Sequence, residues 1–229
     1  MPDMSGEEIS EKSMLMTILS SPLCPIPVSV MLLIMISIGV VIAFAIHALG
    51  STELYDKNIL DRGADAEWTF IGALLFSRMV LQLNFFPMVF KSQIMRGKSG
   101  NLRTNMSIYK AIDGSGTATG QAVVMDQTGA TGQYNRANRS LSHFVETAPA
   151  VVVMLPLVAS VFPFPAFVLT ALYAMGRVLH QRGEAAGYGS HGPGFGISMV
   201  VCFVLEGLCA VSACKALGWS IKVGDAVLL

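Results

Sequence analysis

Five long apolar stretches constrain this chain more than any other feature. Residues 27–49 are almost unbroken, and about 20 consecutive apolar residues suffice to cross the hydrocarbon core of a bilayer. Four more stretches follow at 68–90, 142–162, 166–181 and 195–217. Only 13% of the 229 residues are charged, against about 25% in a soluble domain. The sequence therefore predicts an all-α, polytopic membrane helix bundle. Fifteen basic residues balance fifteen acidic ones, so nothing in the total charge points to a nucleic-acid partner.

The connecting segments order the bundle. Residues 50–67 read as an acidic loop with Glu53, Asp56, Asp61, Asp65 and Glu67. Basic residues concentrate at 91–110, 136–139 and 177–182. With five spans these segments share one side, which the positive-inside rule makes cytoplasmic. The Gly/Thr-rich stretch within 97–133 lacks helical periodicity and reads as a long mobile loop, with the next helix starting near Tyr134. Pro163 and Pro165 predict a tight turn, and the glycines of 183–196 predict another loop.

The first 26 residues are acidic and contain no arginine, unlike a mitochondrial transit peptide; the run at 27–49 reads as a retained signal anchor. Cys24, Cys202, Cys209 and Cys214 show no metal-binding or disulfide spacing and read as packed or lipid-facing residues. Two N-glycosylation sequons, at Asn105 and Asn138, fall on the basic side and are discounted.

Two polar stripes interrupt the apolar pattern. Arg136, Arg139, His143 and Glu146 step by three, four and three residues; Tyr173, Arg177, His180 and Glu184 step by four, three and four. Each spacing places its residues on one helix face. Ionisable groups at membrane depth are costly and almost always face protein, water or a ligand. Each residue carries two readings. Glu146 is either a structural partner of Arg177 or an acceptor for a ligand amine. Arg136 and Arg139 are either snorkelling boundary residues or a fork for a carboxylate. His143 and His180 are either packed neutral rings or donors. A small zwitterionic or dianionic molecule suits such a face best, and glutathione carries two carboxylates, one ammonium and a thiol.

Asn135-Arg136-Ala137-Asn138-Arg139, followed by Glu146 and Pro149, resembles the second-helix signature of the membrane-associated proteins in eicosanoid and glutathione metabolism (MAPEG). Gly176-Arg177-Val178-Leu179-His180 resembles that family's third-helix motif. The resemblance covers roughly 68–217 and is closest to the microsomal glutathione transferases. It implies a MAPEG-like four-helix core at 67–217, preceded by a tail, an extra N-terminal transmembrane helix and the acidic loop at 1–66, and followed by a tail at 218–229. It implies a homotrimer in the endoplasmic reticulum or another organelle membrane, with glutathione as cofactor. Arg136, Arg139, His143, Glu146, Arg177 and His180 would bind it, and a lipophilic substrate would arrive from the membrane lipid.

The chain departs from the family pattern where the family has an arginine beside the thiol. The segment 187–194 has none, and His191 and Tyr188 are the nearest candidates for that catalytic role. Two implied functions stand side by side. One is glutathione conjugation or reduction of lipophilic electrophiles or lipid hydroperoxides, a detoxification chemistry. The other is a non-catalytic accessory subunit of a larger membrane complex. A transporter is disfavoured because the chain lacks paired Gly/Pro-interrupted helices in two matching halves.

Overall fold

The structure, a computed structural model, describes residues 28–95, 106–113, 121–187, 189–219, 222–223 and 226–227. Among these, six helices run in the order α1 (Val28–Leu49), α2 (Thr52–Leu60), α3 (Ala66–Met95), α4 (Gly129–Val161), α5 (Pro163–Ala186) and α6 (Gly192–Ala216). An antiparallel hairpin of β1 (Tyr109–Asp113) and β2 (Gln121–Met125) lies between α3 and α4, and a two-residue pair, β3 (Lys222–Val223) and β4 (Ala226–Val227), follows α6. The chain forms two compact units, 1–64 with 87–134 and 65–86 with 135–229.

In the first unit, α1 is apolar on every face, as a helix surrounded by lipid must be. The segment expected as a plain acidic loop instead folds α2. Its Glu53 lies in the first turn and its Lys57 in the last, each complementing the helix dipole. Polar contacts join α2 to the end of α1. Thr52 Oγ1 donates to the His47 carbonyl at 2.8 Å, and His47 Nε2 lies 2.8 Å from Asp56 Oδ1.

The expected structureless loop at 97–133 is also corrected. The hairpin pairs Tyr109 with Met125 and Ala111 with Val123, and α4 begins at Gly129, five residues before Tyr134. Ile112, Val123 and Val124 favour strand, a period-two signal too short to stand out among the flanking Gly and Thr. The hairpin is latched to α4 through Asp126. Its Oδ1 accepts from Thr128 N at 3.1 Å and Thr128 Oγ1 at 2.7 Å, and lies 3.0 Å from Lys110 Nζ. Tyr134 Oη donates to the Met106 carbonyl at 2.6 Å.

Burial alone would raise the Asp126 carboxyl, but the Thr128 hydrogen bonds and the Lys110 ammonium outweigh it and hold the group below its ordinary value. A lowered folded value means the latch is at full strength above the unfolded carboxylate value of about 3.9 and is lost as pH falls through the folded one. Hydrogen exchange at the Thr128 amide, corrected for intrinsic rate, is therefore expected to stay slow from pH 7 to 5 and to quicken below about pH 4. Protection persisting unchanged at pH 2 would contradict this assignment.

In the second unit, residues 66–86 of α3 pack with α5, α6 and α4 from residue 135 onward. Met79, Leu83, Phe144, Val151, Val158, Tyr173, Val201 and Leu205 form the core. Polar ties cross between helices: Gln181 Nε2 donates to the Leu83 carbonyl at 2.8 Å, and Thr69 Oγ1 to that of Ala159 at 3.4 Å. Pro149 and Pro156 sit inside α4, which membrane bundles tolerate because neighbouring groups re-satisfy the freed carbonyls. The predicted Pro163 turn reduces to Phe162 alone, with Pro163 opening α5 where a missing N–H costs nothing.

The glycine-rich loop contracts, because α5 runs on to Ala186 and α6 starts at Gly192. Gly183 lies inside α5, and Gly192, Gly194 and Gly196 lie inside α6. Gly194 is what allows close approach: a Cβ there would collide with the His180 backbone nitrogen and the Gly176 carbonyl. Small residues at helix contacts let membrane helices pack backbone to backbone.

Four helices among the described residues are long and apolar enough to cross a bilayer, with spans at Leu32–Leu49, Ala66–Ser92, Gly129–Val161 and Gly192–Ala216. The fifth expected span, in α5, falls short on apolarity. Its 24 residues carry Arg177, His180, Gln181 and Glu184, all buried. Their cost is offset by protein contacts rather than lipid.

Candidate functional site

The two polar stripes meet inside the second unit. Arg177, on α5, is only 2% exposed. Its Nη1 donates to His143 Nδ1 at 3.3 Å and its Nη2 to the Ser140 carbonyl at 3.4 Å, while its carbon lies 5.3 Å from the Phe144 ring centroid. A guanidinium over an aromatic face gains cation–π attraction, more so when desolvated. His180, one turn further along α5, places Nδ1 3.0 Å from Ser140 Oγ. The His143 and His180 rings stack at 5.3 Å, and Phe195 on α6 lies against both, at 5.6 and 6.1 Å.

The cluster continues towards the start of α6. His191 packs edge-on to His180 at 5.4 Å, and its Nδ1 lies 2.7 Å from Glu184 Oε2. The other Glu184 oxygen is 3.9 Å from Arg139 Nε, so a buried carboxylate sits between an imidazole and a largely exposed guanidinium. Arg136 donates from Nε and Nη2 to the Ala185 carbonyl at 3.2 and 3.1 Å, satisfying a carbonyl in the last turn of α5 that has no helical partner.

Six sequence-predicted residues thus gather on facing surfaces of α4, α5 and the α6 start: Arg136, Arg139, His143, Arg177, His180 and His191. Glu146 does not join them. It is exposed on α4, and the expected ion pair with Arg177 is not among the ion pairs of the described residues. Arg177 is instead held by neutral acceptors and an aromatic ring. Tyr188 lies outside the described residues.

Sequence reading missed Ser140, which serves both Arg177 and His180. It also missed Phe195, and it placed Glu184 on the second stripe without assigning it as the carboxylate between Arg139 and His191. Ser140 lies four residues after Arg136 and three before His143, so the stripe's own spacing reaches it; a lone serine in a helix carries no other signal. Cys202, Cys209 and Cys214 are unpaired and half-buried, as packing residues would be.

The MAPEG family model matches residues 70–211, more than half of the chain, and runs from the first turns of α3 into α6. The α1 and α2 helices precede the match. No curated protein matches the chain. A family match of this extent, together with four helices of spanning length and apolarity, identifies the chain as an integral membrane protein belonging to the MAPEG family.

Proposed function

We propose that this protein binds glutathione on the α4–α5 polar face and uses it against lipophilic electrophiles or lipid hydroperoxides, working as a homotrimer. The observation that carries the reading is the pair of exposed charges on α4, Arg139 and Glu146, the first of them ion-paired with Glu184 at the edge of the cluster around buried Arg177. They stand seven residues apart on one face of α4, two turns or about 10 Å along the axis. An outward cation and an outward anion at that separation fit a peptide carrying carboxylates at its ends and one ammonium. Family membership supports the same ligand.

Arg139 and Arg136 are the groups for carboxylates, since a guanidinium binds them in bidentate fashion. Glu146 is the group for the ammonium. Arg177, His143 and His180 form the wall behind, and the rigid contacts of Arg177 keep that wall in place. Bound glutathione supplies a thiol whose ionised form is the nucleophile. With Nδ1 turned to Glu184, His191 leaves Nε2 as the atom that takes the thiol proton, and Glu184 stabilises the resulting charge. Tyr188 is a second candidate beside the thiol, as a hydrogen-bond donor to the thiolate. The bilayer delivers apolar substrates, because they partition into it.

Thermal unfolding of the purified protein in mild detergent tests the reading. Millimolar glutathione is expected to raise the transition temperature. Charge-assisted hydrogen bonds are worth about 1.5–3 kcal/mol, so Arg139→Ala and Glu146→Gln should each weaken binding about 10-fold or more. The absence of stabilisation at these concentrations would overturn it.

A further inference from the structure

Away from the polar cluster, the second unit contains a partly open cavity of about 170 Å³ between α3, α4 and α5, bordered by Trp68, Gly72, Pro156, Ala159, Phe167 and Thr170. Its surface is almost wholly apolar. The two hydroxyls at its edge are already committed to the protein: Thr69 Oγ1 to the Ala159 carbonyl at 3.4 Å and Thr170 Oγ1 to the Ala166 carbonyl at 2.8 Å. Pro156 has no N–H to offer. A water molecule needs two to four polar partners to occupy a buried site, and apolar cavities of ~150 Å³ stay dry and accept hydrocarbon guests.

We infer that this cavity receives the acyl chain of a bilayer phospholipid. The lining helices belong to a membrane protein, and the residues beside the lining are apolar and exposed: Ile71 and Leu74 on α3, Leu157 on α4 and Val168 on α5. The cavity therefore continues into exposed apolar surface of the membrane-embedded unit. Nothing within it would recognise a headgroup, so the guest is the hydrocarbon portion alone. Trp68, packed on Phe164 and Phe167 at 5.0 Å each, makes one wall and reports on occupancy.

The test uses the full chain carrying Trp219→Phe, which leaves Trp68 as its single tryptophan. It is reconstituted in phosphatidylcholine vesicles with either dibrominated or unmodified acyl chains. Bromine quenches indole emission on contact, so most Trp68 emission should be lost in the brominated vesicles. Ala159→Leu fills the cavity and should restore much of that emission. Gly72→Ala guards against misfolding of the leucine variant: a Cβ at Gly72 meets nothing nearer than 3.7 Å, and it should restore emission in part. Equal quenching with and without these substitutions would mean that only surrounding lipid touches Trp68, overturning the inference. Absence of quenching in the parent would overturn it too.

Discussion

Gly194→Ala is expected to leave little folded protein after extraction in detergent. The added methyl would collide with the His180 backbone nitrogen and Cα and with the Gly176 carbonyl. Backbone in the middle of a helix cannot move aside as a side chain can, so α5 and α6 would have to separate. Ordinary overpacking costs about 1–3 kcal/mol; this collision should exceed about 3 kcal/mol. Separation would also displace Phe195 from His143 and His180, loosening the polar cluster.

Two companion variants make the result specific. Gly176→Ala meets the Ser198 hydroxyl at 2.7 Å and the Gly194 carbonyl at 3.0 Å. The hydroxyl can rotate, so a smaller loss of about 1–3 kcal/mol is expected. Gly196→Ala meets nothing within 4 Å and should change stability by no more than about 0.5 kcal/mol. Transition temperature and monodispersity on size exclusion rank the three. If Gly194→Ala behaves like Gly196→Ala, the close approach of α5 and α6 is wrong.

Arg177→Ala should be the next most damaging change, and its comparison with Arg177→Met separates packing from charge. Arg177 is among the largest fully buried side chains of the described residues. Truncation removes its contacts with His143, Ser140 and Phe144 and leaves a void. Large-to-alanine changes in cores cost about 2–5 kcal/mol. Methionine keeps most of the length while removing a charge whose burial is itself costly, and buried charges can often be exchanged for apolar groups of similar volume with little loss. The methionine variant should therefore lose less than about 1.5 kcal/mol. Arg177→Lys cannot reach both His143 Nδ1 and the Ser140 carbonyl with a forked geometry, because an ammonium is a point charge. It should fall between the other two. Unfolding in mixed micelles measures the series; equal losses for alanine and methionine would place the weight on the charge instead.

The membrane character of the chain was legible residue by residue. A run such as 27–49 has few alternatives to spanning a bilayer, since hydrogen bonding inside a helix is the main way to satisfy its backbone in hydrocarbon. The polar stripes were legible for a related reason: the helical period alone places Arg136, Arg139, His143 and Glu146 on one face. The hairpin at 109–125 was not, because five-residue strands flanked by Gly and Thr give a weak periodic signal and their pairing depends on a partner strand. The extent of α5 and α6 was misread for a different reason. Glycine is a loop signal in a water-soluble context, but at helix contacts in membranes it serves close packing, as at Gly194.

By itself the sequence determined that apolar helices cross a bilayer and that two helix faces carry ionisable groups, because both follow from local composition and the helical repeat. Tertiary structure alone decided which partners those charges take. Arg177 turns to His143, Ser140 and Phe144 rather than to Glu146, and Glu184 lies between Arg139 and His191. Partner choice depends on how α4, α5 and the start of α6 are set against one another, and that is settled by side-chain volume and close backbone approach.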